Sequence, residues 1–189
     1  MSRSPDRLLD DTLVSNAATG SPLAFNALHA RWHPRLLRHA YRLLGNADLA
    51  SDVVQEAWMD IVKGLHGLND FGAFQAWAFR IVTRRCAKSI KTLQKRRRLE
   101  QTWHPDEDHT PPACETDLGS DILACIKQAL ACLSSSHRIV TELFYLEELS
   151  VSEIAIALEI PLGTVKTRLM HARHQLRSQI QGDKHDQRY

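Results

Sequence analysis

Hydrophobic residues recur every three or four positions along two long stretches of the chain, residues 22–98 and residues 121–180. This spacing is typical of amphipathic α-helices, whose apolar side chains line one face. The segment between them, residues 99–120, contains three prolines, many acids and few aliphatic residues. Such a composition buries too little apolar surface to fold by itself. The pattern therefore predicts an all-α protein with two small helical domains joined by a flexible acidic linker.

Near the end of the second stretch, the pattern predicts two short helices separated by a tight turn. Ser150 and Glu153 have the spacing of a capping box, which begins a helix. Ile160 and Pro161 end that helix, and proline suits the first turn of the next one. In the second helix, one apolar stripe contains Val165, Leu169, Ala172 and Leu176. Two helices with this geometry form either a simple hairpin or a helix-turn-helix motif.

The outer face of that second helix is cationic, because no Asp or Glu occurs between Thr164 and Arg177. A face that is merely solvated usually mixes both signs of charge. In helix-turn-helix proteins, the N-terminal part of the second helix enters the DNA major groove. The absence of acids favours DNA binding over a solvated hairpin.

Residues 74–98 combine an apolar stripe with a cationic stripe on one predicted helix. The apolar stripe contains Phe79, Val82, Cys86, Ile90 and Leu93. The cationic stripe contains Arg80, Arg84, Lys88, Lys91 and Lys95. Five like charges on one face repel each other, so a polyanionic partner is indicated. Phe71, Phe74 and Trp77 precede the stripe and suit stacking on unpaired bases. Packing in the core explains Phe71 and Phe74 equally well.

A third predicted helix, residues 48–65, has an acidic outer face. Val54, Ala57, Trp58 and Ile61 face the predicted core. Asp52, Gln55 and Glu56 lie on the other side, where acids would not favour DNA. This patch suggests a protein partner, although a solvated face is the alternative.

The composition and the spacing of reactive side chains argue against several classes of protein. The 189 residues carry a net charge of only +2, which is unevenly distributed. No secretory h-region or membrane-spanning apolar run is visible, so a cytoplasmic protein without membrane insertion is expected. Neither the four cysteines nor the ten histidines form a metal-ligand set, and no enzyme fingerprint occurs. We therefore expect no metal, no cofactor and no catalytic residue. Cys86, Cys125 and Cys132 are predicted to be core residues.

Three fragments, in this order, resemble the extracytoplasmic-function branch of the sigma-70 family of bacterial transcription initiation factors. "DVVQEAW" (52–58) is similar to that family's core-binding helix, and "FQAWAFRIV" (74–82) to its promoter-melting region. "LSVSEIAIALEIPLGTVKTRLMHAR" (149–173) is similar to its region 4. The resemblance covers residues 22–180 and implies region 2 at 22–98, a linker at 99–120 and region 4 at 121–180. The alternative is a stand-alone helix-turn-helix regulator.

The resemblance implies that this chain binds core RNA polymerase and promoter DNA, and serves a stress or extracytoplasmic-signal regulon. It implies contact of Asp52, Gln55 and Glu56 with the β′ clamp helices, further contact with the β subunit, and an anti-sigma partner. The implied −10 contacts are Trp77, Arg80, Thr83, Arg84, Lys88 and Lys91. The implied −35 contacts are Thr164, Lys166, Thr167, Arg168, Met170 and His171. The chain departs from the family pattern at Ser51, Arg84, Lys88 and Glu159, where an acid, Asn, Asp and Gly are usual.

Overall fold

The computed structural model describes residues 5–100, 130 and 133–182, with side chains described up to residues 95 and 178 in the two long ranges. In these residues every regular element is helical, as the pattern predicts. The chain divides into two compact units. The predicted linker, most of the predicted helix at 121–133, and Cys114, Cys125 and Cys132 lie outside the described residues. The predicted domain boundaries therefore stay predictions.

Within residues 5–100, the first unit has four α-helices. They are α1 (Pro5–Ala18), α2 (Pro22–Leu44), α3 (Ala47–Leu65) and α4 (Phe74–Glu100), with a short 3₁₀ turn at Phe71–Ala73. Helix α2 packs against α1, α3 and α4, so it is central to the unit. Its Trp32 is fully buried and meets Phe74 and Phe79 of α4 edge to face, with ring centroids 5.3 and 5.9 Å apart. These aromatic contacts hold α4 against the rest of the unit.

Short polar signals set the helix ends in this unit. Ser21 caps α2 by accepting a hydrogen bond from the backbone N–H of Ala24, and Pro22 occupies the first turn. Gly45 ends α2 with a φ of 66°, a left-handed conformation that glycine adopts without strain. Asn46 then caps α3 by accepting from the N–H of Leu49 at 2.9 Å. The tight α2–α3 connection follows from the two consecutive cap signals, Gly45 and Asn46.

Helix α1 is an addition to the predicted architecture, which placed the first domain at residues 22–98. It docks on α2 through Asp10, which is only 2% exposed. Asp10 Oδ1 accepts from Arg31 Nε at 2.6 Å, and Oδ2 accepts from Gln75 Nε2 of α4 at 3.4 Å. One buried carboxylate thus connects three helices of the unit.

The second unit contains α5 (Ser135–Tyr145), the first part of α6 (Val151–Leu158) and α7 (Leu162–Gly182). Helices α5 and α7 pack against each other. The predicted apolar stripe of α7 is buried at Val165, Leu169 and Ala172, and partly buried at Leu176. These side chains share the core with Val140 and Leu143 of α5 and Ile154 of α6. Hence the outer face of α7 is left for other contacts.

Candidate nucleic-acid and partner interfaces

The cationic stripe lies along the outer side of α4. Arg84, Lys88, Lys91 and Lys95 are exposed and Arg80 is partly exposed. Their positions span 15 residues, so the stripe is about 22 Å long at the helical rise of ~1.5 Å per residue. The opposite side of the helix carries Phe79, Val82 and Cys86, all buried as predicted. The α4 helix can therefore hold a row of positive charge while its apolar face fixes its position.

On the apolar side of α4, the Cys86 thiol and the Thr83 hydroxyl have their contacts within the unit. Burial raises the pKa of the Cys86 thiol to about 12, so this cysteine is a structural side chain, as predicted. The Thr83 hydroxyl donates to the carbonyl of Phe79 at 2.9 Å. It therefore accepts the 3.0 Å hydrogen bond from His39 Nε2. The hydroxyl of this predicted −10 residue is thus used inside the unit.

His39 is fully buried beneath α4 and is neutral. Desolvation by burial, followed by the nearby charge of Arg42, lowers its pKa from 6.5 to about 3. A neutral ring that donates through Nε2 can hold Thr83 without placing a buried charge under the helix. The structure thus shows a polar connection between α2 and α4 that hydrophobic periodicity does not reveal.

Trp77 is half-buried and lies against the backbone of α3. A Cβ atom added to Gly64 would lie only 2.7 Å from Trp77 Cζ2, so the indole occupies the space that this glycine leaves open. Phe74 is 1% exposed and belongs to the core, whereas Phe71 is partly exposed. Of the two interpretations offered for Phe74, core packing is therefore the correct one. Trp77 retains an exposed portion beside the start of the cationic stripe.

The acidic patch is on the solvent side of α3, where Asp52, Gln55 and Glu56 are all exposed. Met59 and Val62 continue the row from Asp52 and Gln55 at helical spacing, and their exposed fractions are 56% and 44%. The sequence analysis did not single them out. Exposed apolar side chains next to exposed acids are typical of protein-binding surfaces rather than of DNA-binding ones.

Arg85 connects the acidic side of α3 with α4. Its NH1 donates to Glu56 Oε2 at 2.6 Å, while Nε donates to Asp60 Oδ2 at 2.7 Å. Glu56 and Asp60 are four residues apart and so lie one above the other on α3. Both carboxylates, Asp60 foremost through its hydrogen bond, raise the pKa of Arg85. Sequence analysis missed this residue, although acids at i and i+4 facing an arginine-rich helix were a usable signal.

The predicted capping box is present at the start of α6. The backbone N–H of Ser150 donates to Glu153 Oε2 at 2.7 Å, and that of Glu153 donates to Ser150 Oγ at 3.2 Å. The following turn contains Glu159 with a φ of 55°. Such a left-handed conformation favours glycine, which explains why this is a position where the resembling family usually has Gly. Glu159 thus stands in place of the usual Gly, but the backbone at this position still has the left-handed conformation.

The predicted −35 residues fall into two groups on α7. Lys166, Thr167, Met170 and His171 are exposed, while Thr164 and Arg168 are partly buried. The Thr167 hydroxyl donates to the carbonyl of Gly163 at 3.0 Å. The His171 ring stacks on His137 of α5, with centroids 6.0 Å apart. The structure thus brings four of the six side chains together on one accessible face near the start of the helix.

The described residues contain no cluster of three or more His, Cys, Asp or Glu side chains that could hold a metal ion. In that same part of the chain, none of the helices is both long enough and apolar enough to cross a bilayer. The exposed features of the two units are charged and mixed helix faces. Such faces suit macromolecular partners better than a small ligand.

Comparisons with known proteins agree with this geometry. The sigma-70 region 2 model matches residues 28–97, and a sigma-70 region 4 model matches residues 123–176. The chain is 26% identical to the ECF RNA polymerase sigma factor SigW of Bacillus subtilis, over 88% of this chain and 94% of that protein. It is 29% identical to the ECF RNA polymerase sigma-E factor of Haemophilus influenzae, over 93% of this chain and 97% of that protein.

A solved structure has the same fold. The sigma factor RpoE of Bartonella quintana, crystallised with the anti-sigma factor NepR, has a TM-score of 0.63 and 24% sequence identity. The similarity covers 83% of this chain and 96% of that one. The two family models together match more than half of the chain, in the order in which the three fragments occur. The chain belongs to the extracytoplasmic-function branch of the sigma-70 family.

Proposed function

We propose that this chain is an alternative sigma factor that binds core RNA polymerase and directs it to promoters through two separate DNA contacts. The observation that carries the proposal is the ordered pair of family matches, each of which contains one helix with an exposed cationic face. RNA synthesis is the work of the polymerase, and this chain supplies promoter choice. Because that polymerase works in the bacterial cytoplasm, we place the chain there too.

The α3 surface is the proposed contact with core polymerase. Asp52, Gln55 and Glu56 supply acceptors for cations of the β′ clamp helices, and Met59 and Val62 supply adjoining apolar area. Methionine is enriched in protein interfaces, and charged side chains steer the encounter of the two partners. A contact of the second unit with the β subunit is part of the same proposal.

The α4 stripe is the proposed contact with the −10 element. Arg80, Arg84, Lys88 and Lys91 would neutralise phosphates of the opened strand, while the exposed edge of Trp77 offers a stacking surface for a base. The partly buried Thr83 hydroxyl, which is hydrogen-bonded to His39 of α2, supports the helix from the interior side. Arg84 and Lys88 differ from the residues usual in the family, so the preferred −10 bases of this factor are expected to differ as well.

The exposed residues of α7 are the proposed contact with the −35 element. Lys166, Thr167, Met170 and His171 lie where a recognition helix meets base edges in the major groove. Partly buried Thr164 and Arg168 are placed beside this group. The partner of the Bartonella quintana relative also motivates a proposed anti-sigma factor for this chain.

Transcription in vitro with purified core polymerase tests the proposal, with start sites mapped on genomic templates. Substitution of Lys166 and His171 by alanine should weaken duplex binding and change the −35 preference, since one good base contact is worth about 1–3 kcal/mol. Opening of a premelted promoter should remain nearly intact. Substitution of Arg80, Arg84 and Lys88 should have the opposite profile, with partial rescue by a bubble template.

Two outcomes would contradict the assignment. Equal defects of both variants on duplex and bubble templates would show that the two helices do not divide the work in this way. Start sites that do not depend on the added chain would support the alternative of a stand-alone helix-turn-helix regulator. Lys95→Ala, at the far end of the stripe, is the matched control for loss of one positive charge from α4.

A further inference from the structure

Arg85 belongs to neither of the two proposed surfaces, yet it contacts one and adjoins the other. It follows Arg84 of the cationic stripe in the chain. Its guanidinium points to α3, where it lies between Glu56 and Asp60 at 2.5–2.7 Å. The side chain of Arg85 is 25% exposed, compared with 54% for that of Glu56. The arginine is therefore mostly enclosed, and the Glu56 carboxylate that it holds remains open to solvent.

The Glu56 carboxylate has two competing partners under the proposed function. It is part of the acidic row proposed to meet cations of the polymerase, and it already accepts from Arg85 NH1 at 2.6 Å. A positive group that approaches Glu56 from outside meets the positive guanidinium at close range, and like charges repel. Asp60, by contrast, binds Arg85 through both Nε and NH2. Both nitrogens contact the same oxygen, Asp60 Oδ2, so Arg85 can lose Glu56 and keep this second partner.

We propose that Arg85 competes with polymerase for Glu56. When polymerase binds α3, it must displace Arg85 from Glu56, so that Arg85 is then paired with Asp60 alone. This inference rests on the proposed function, because it takes the α3 surface as the polymerase contact. Three charges, Glu56, Asp60 and Arg85, sum to −1, and loss of the arginine leaves −2 on the same patch. The competitor thus lowers the attraction of free α3 for any basic surface. Binding is favoured only for a partner with a well-placed cation.

The test measures the affinity of the full chain for core polymerase in a double-mutant cycle with Arg85→Gln and Glu56→Gln. Arg85→Gln should tighten binding by about two- to fivefold, the value of one partly exposed ion pair. Glu56→Gln should weaken binding, and more strongly in the Arg85→Gln background, where the carboxylate is not shared. Lys63→Gln removes one positive charge as Arg85→Gln does, but on α3, two turns from Glu56, and should change affinity less than twofold.

Other results would overturn the inference. Weaker binding after Arg85→Gln, with a smaller Glu56 effect in that background, would mean that Arg85 orients Glu56 for the polymerase. No effect of Glu56→Gln in either background would remove both the competition and the assigned α3 contact. If Arg85→Gln lowers the thermal unfolding temperature sharply, Arg85→Lys replaces it. A lysine keeps the charge without the planar fork, so a smaller tightening is expected, and weaker binding would contradict the competition.

Discussion

The polar contacts of the two units differ in their burial and in their separation along the sequence. In the first unit, buried polar contacts join residues far apart, as in the Asp10–Gln75 and His39–Thr83 hydrogen bonds. In the second unit, the capping box joins Ser150 to Glu153, three residues on, and the longer-range hydrogen bond from Arg173 Nε to the Tyr145 hydroxyl, at 2.9 Å, is exposed. Long-range polar contacts need the whole unit to be folded, whereas a capping box forms with its own helix. Polar substitutions should therefore have larger effects in the first unit than in the second.

The largest expected effect is that of Asp10→Ala. The substitution leaves Arg31 without its buried acceptor and Gln75 without a hydrogen bond, which should cost roughly 3 kcal/mol of unfolding free energy. Denaturant unfolding followed by tryptophan fluorescence measures it, since Trp32, Trp58 and Trp77 all lie in the first unit. Asp6→Ala removes an 80%-exposed partner of the same arginine and should cost less than about 1 kcal/mol. Equal costs would show that burial of Asp10 does not matter.

The next effect, measured per pH unit, should appear only in acid. Because the folded-state pKa of His39 is about 3, below its ordinary value of 6.5, the folded state binds fewer protons than the unfolded state. The part of the unfolding free energy that depends on a neutral His39 is fully present above pH 6.5 and is lost as the pH falls toward 3. The unfolding free energy should decrease by roughly 1.4 kcal/mol per pH unit from this group. His39→Gln should flatten that slope, and the exposed His66→Gln should not.

Gly64→Ala is expected to destabilise the first unit by about 1–2 kcal/mol, because overpacking against Trp77 exceeds the gain in helix propensity. The emission maximum of Trp77 should shift as its indole is displaced. Promoter opening should also fall if Trp77 contacts the −10 strand as proposed. Gly67→Ala is the control, since a Cβ there meets only a backbone oxygen at 3.5 Å. A stable Gly64→Ala protein with an unshifted spectrum would mean that the indole has room elsewhere.

The smallest effect should come from the second unit. Ser150→Ala removes one half of the capping box and should cost about 1 kcal/mol. Amide hydrogen exchange of α6 measures this, with little change expected in α1–α4. Ser178→Ala, near the end of α7, is the control. Faster exchange throughout the first unit would contradict the separation between local and long-range contacts.

The sequence predicted what depends on local periodicity. The apolar stripes of α4 and α7, the capping box and the acidic face of α3 all follow from spacings of three or four residues, and the structure confirms them. Helix α1 was not predicted, because a buried acid at Asp10 interrupts its apolar face. The His39–Thr83 and Arg85–Glu56 contacts join different helices, so no short spacing signals them. The assigned DNA and polymerase contacts stay predictions, since exposure alone does not identify a partner.

The close fit of Trp77 over Gly64 has an evolutionary consequence. A side chain at position 64 and the indole at position 77 can be present together only if one of them shifts, because the ring occupies the space where the Cβ would lie. Descendants of this gene could replace the glycine at least cost to stability after, or together with, a reduction in size at position 77. If promoter binding selects for a tryptophan at position 77, it also selects indirectly for glycine at position 64, which lies on a different helix and need not contact DNA.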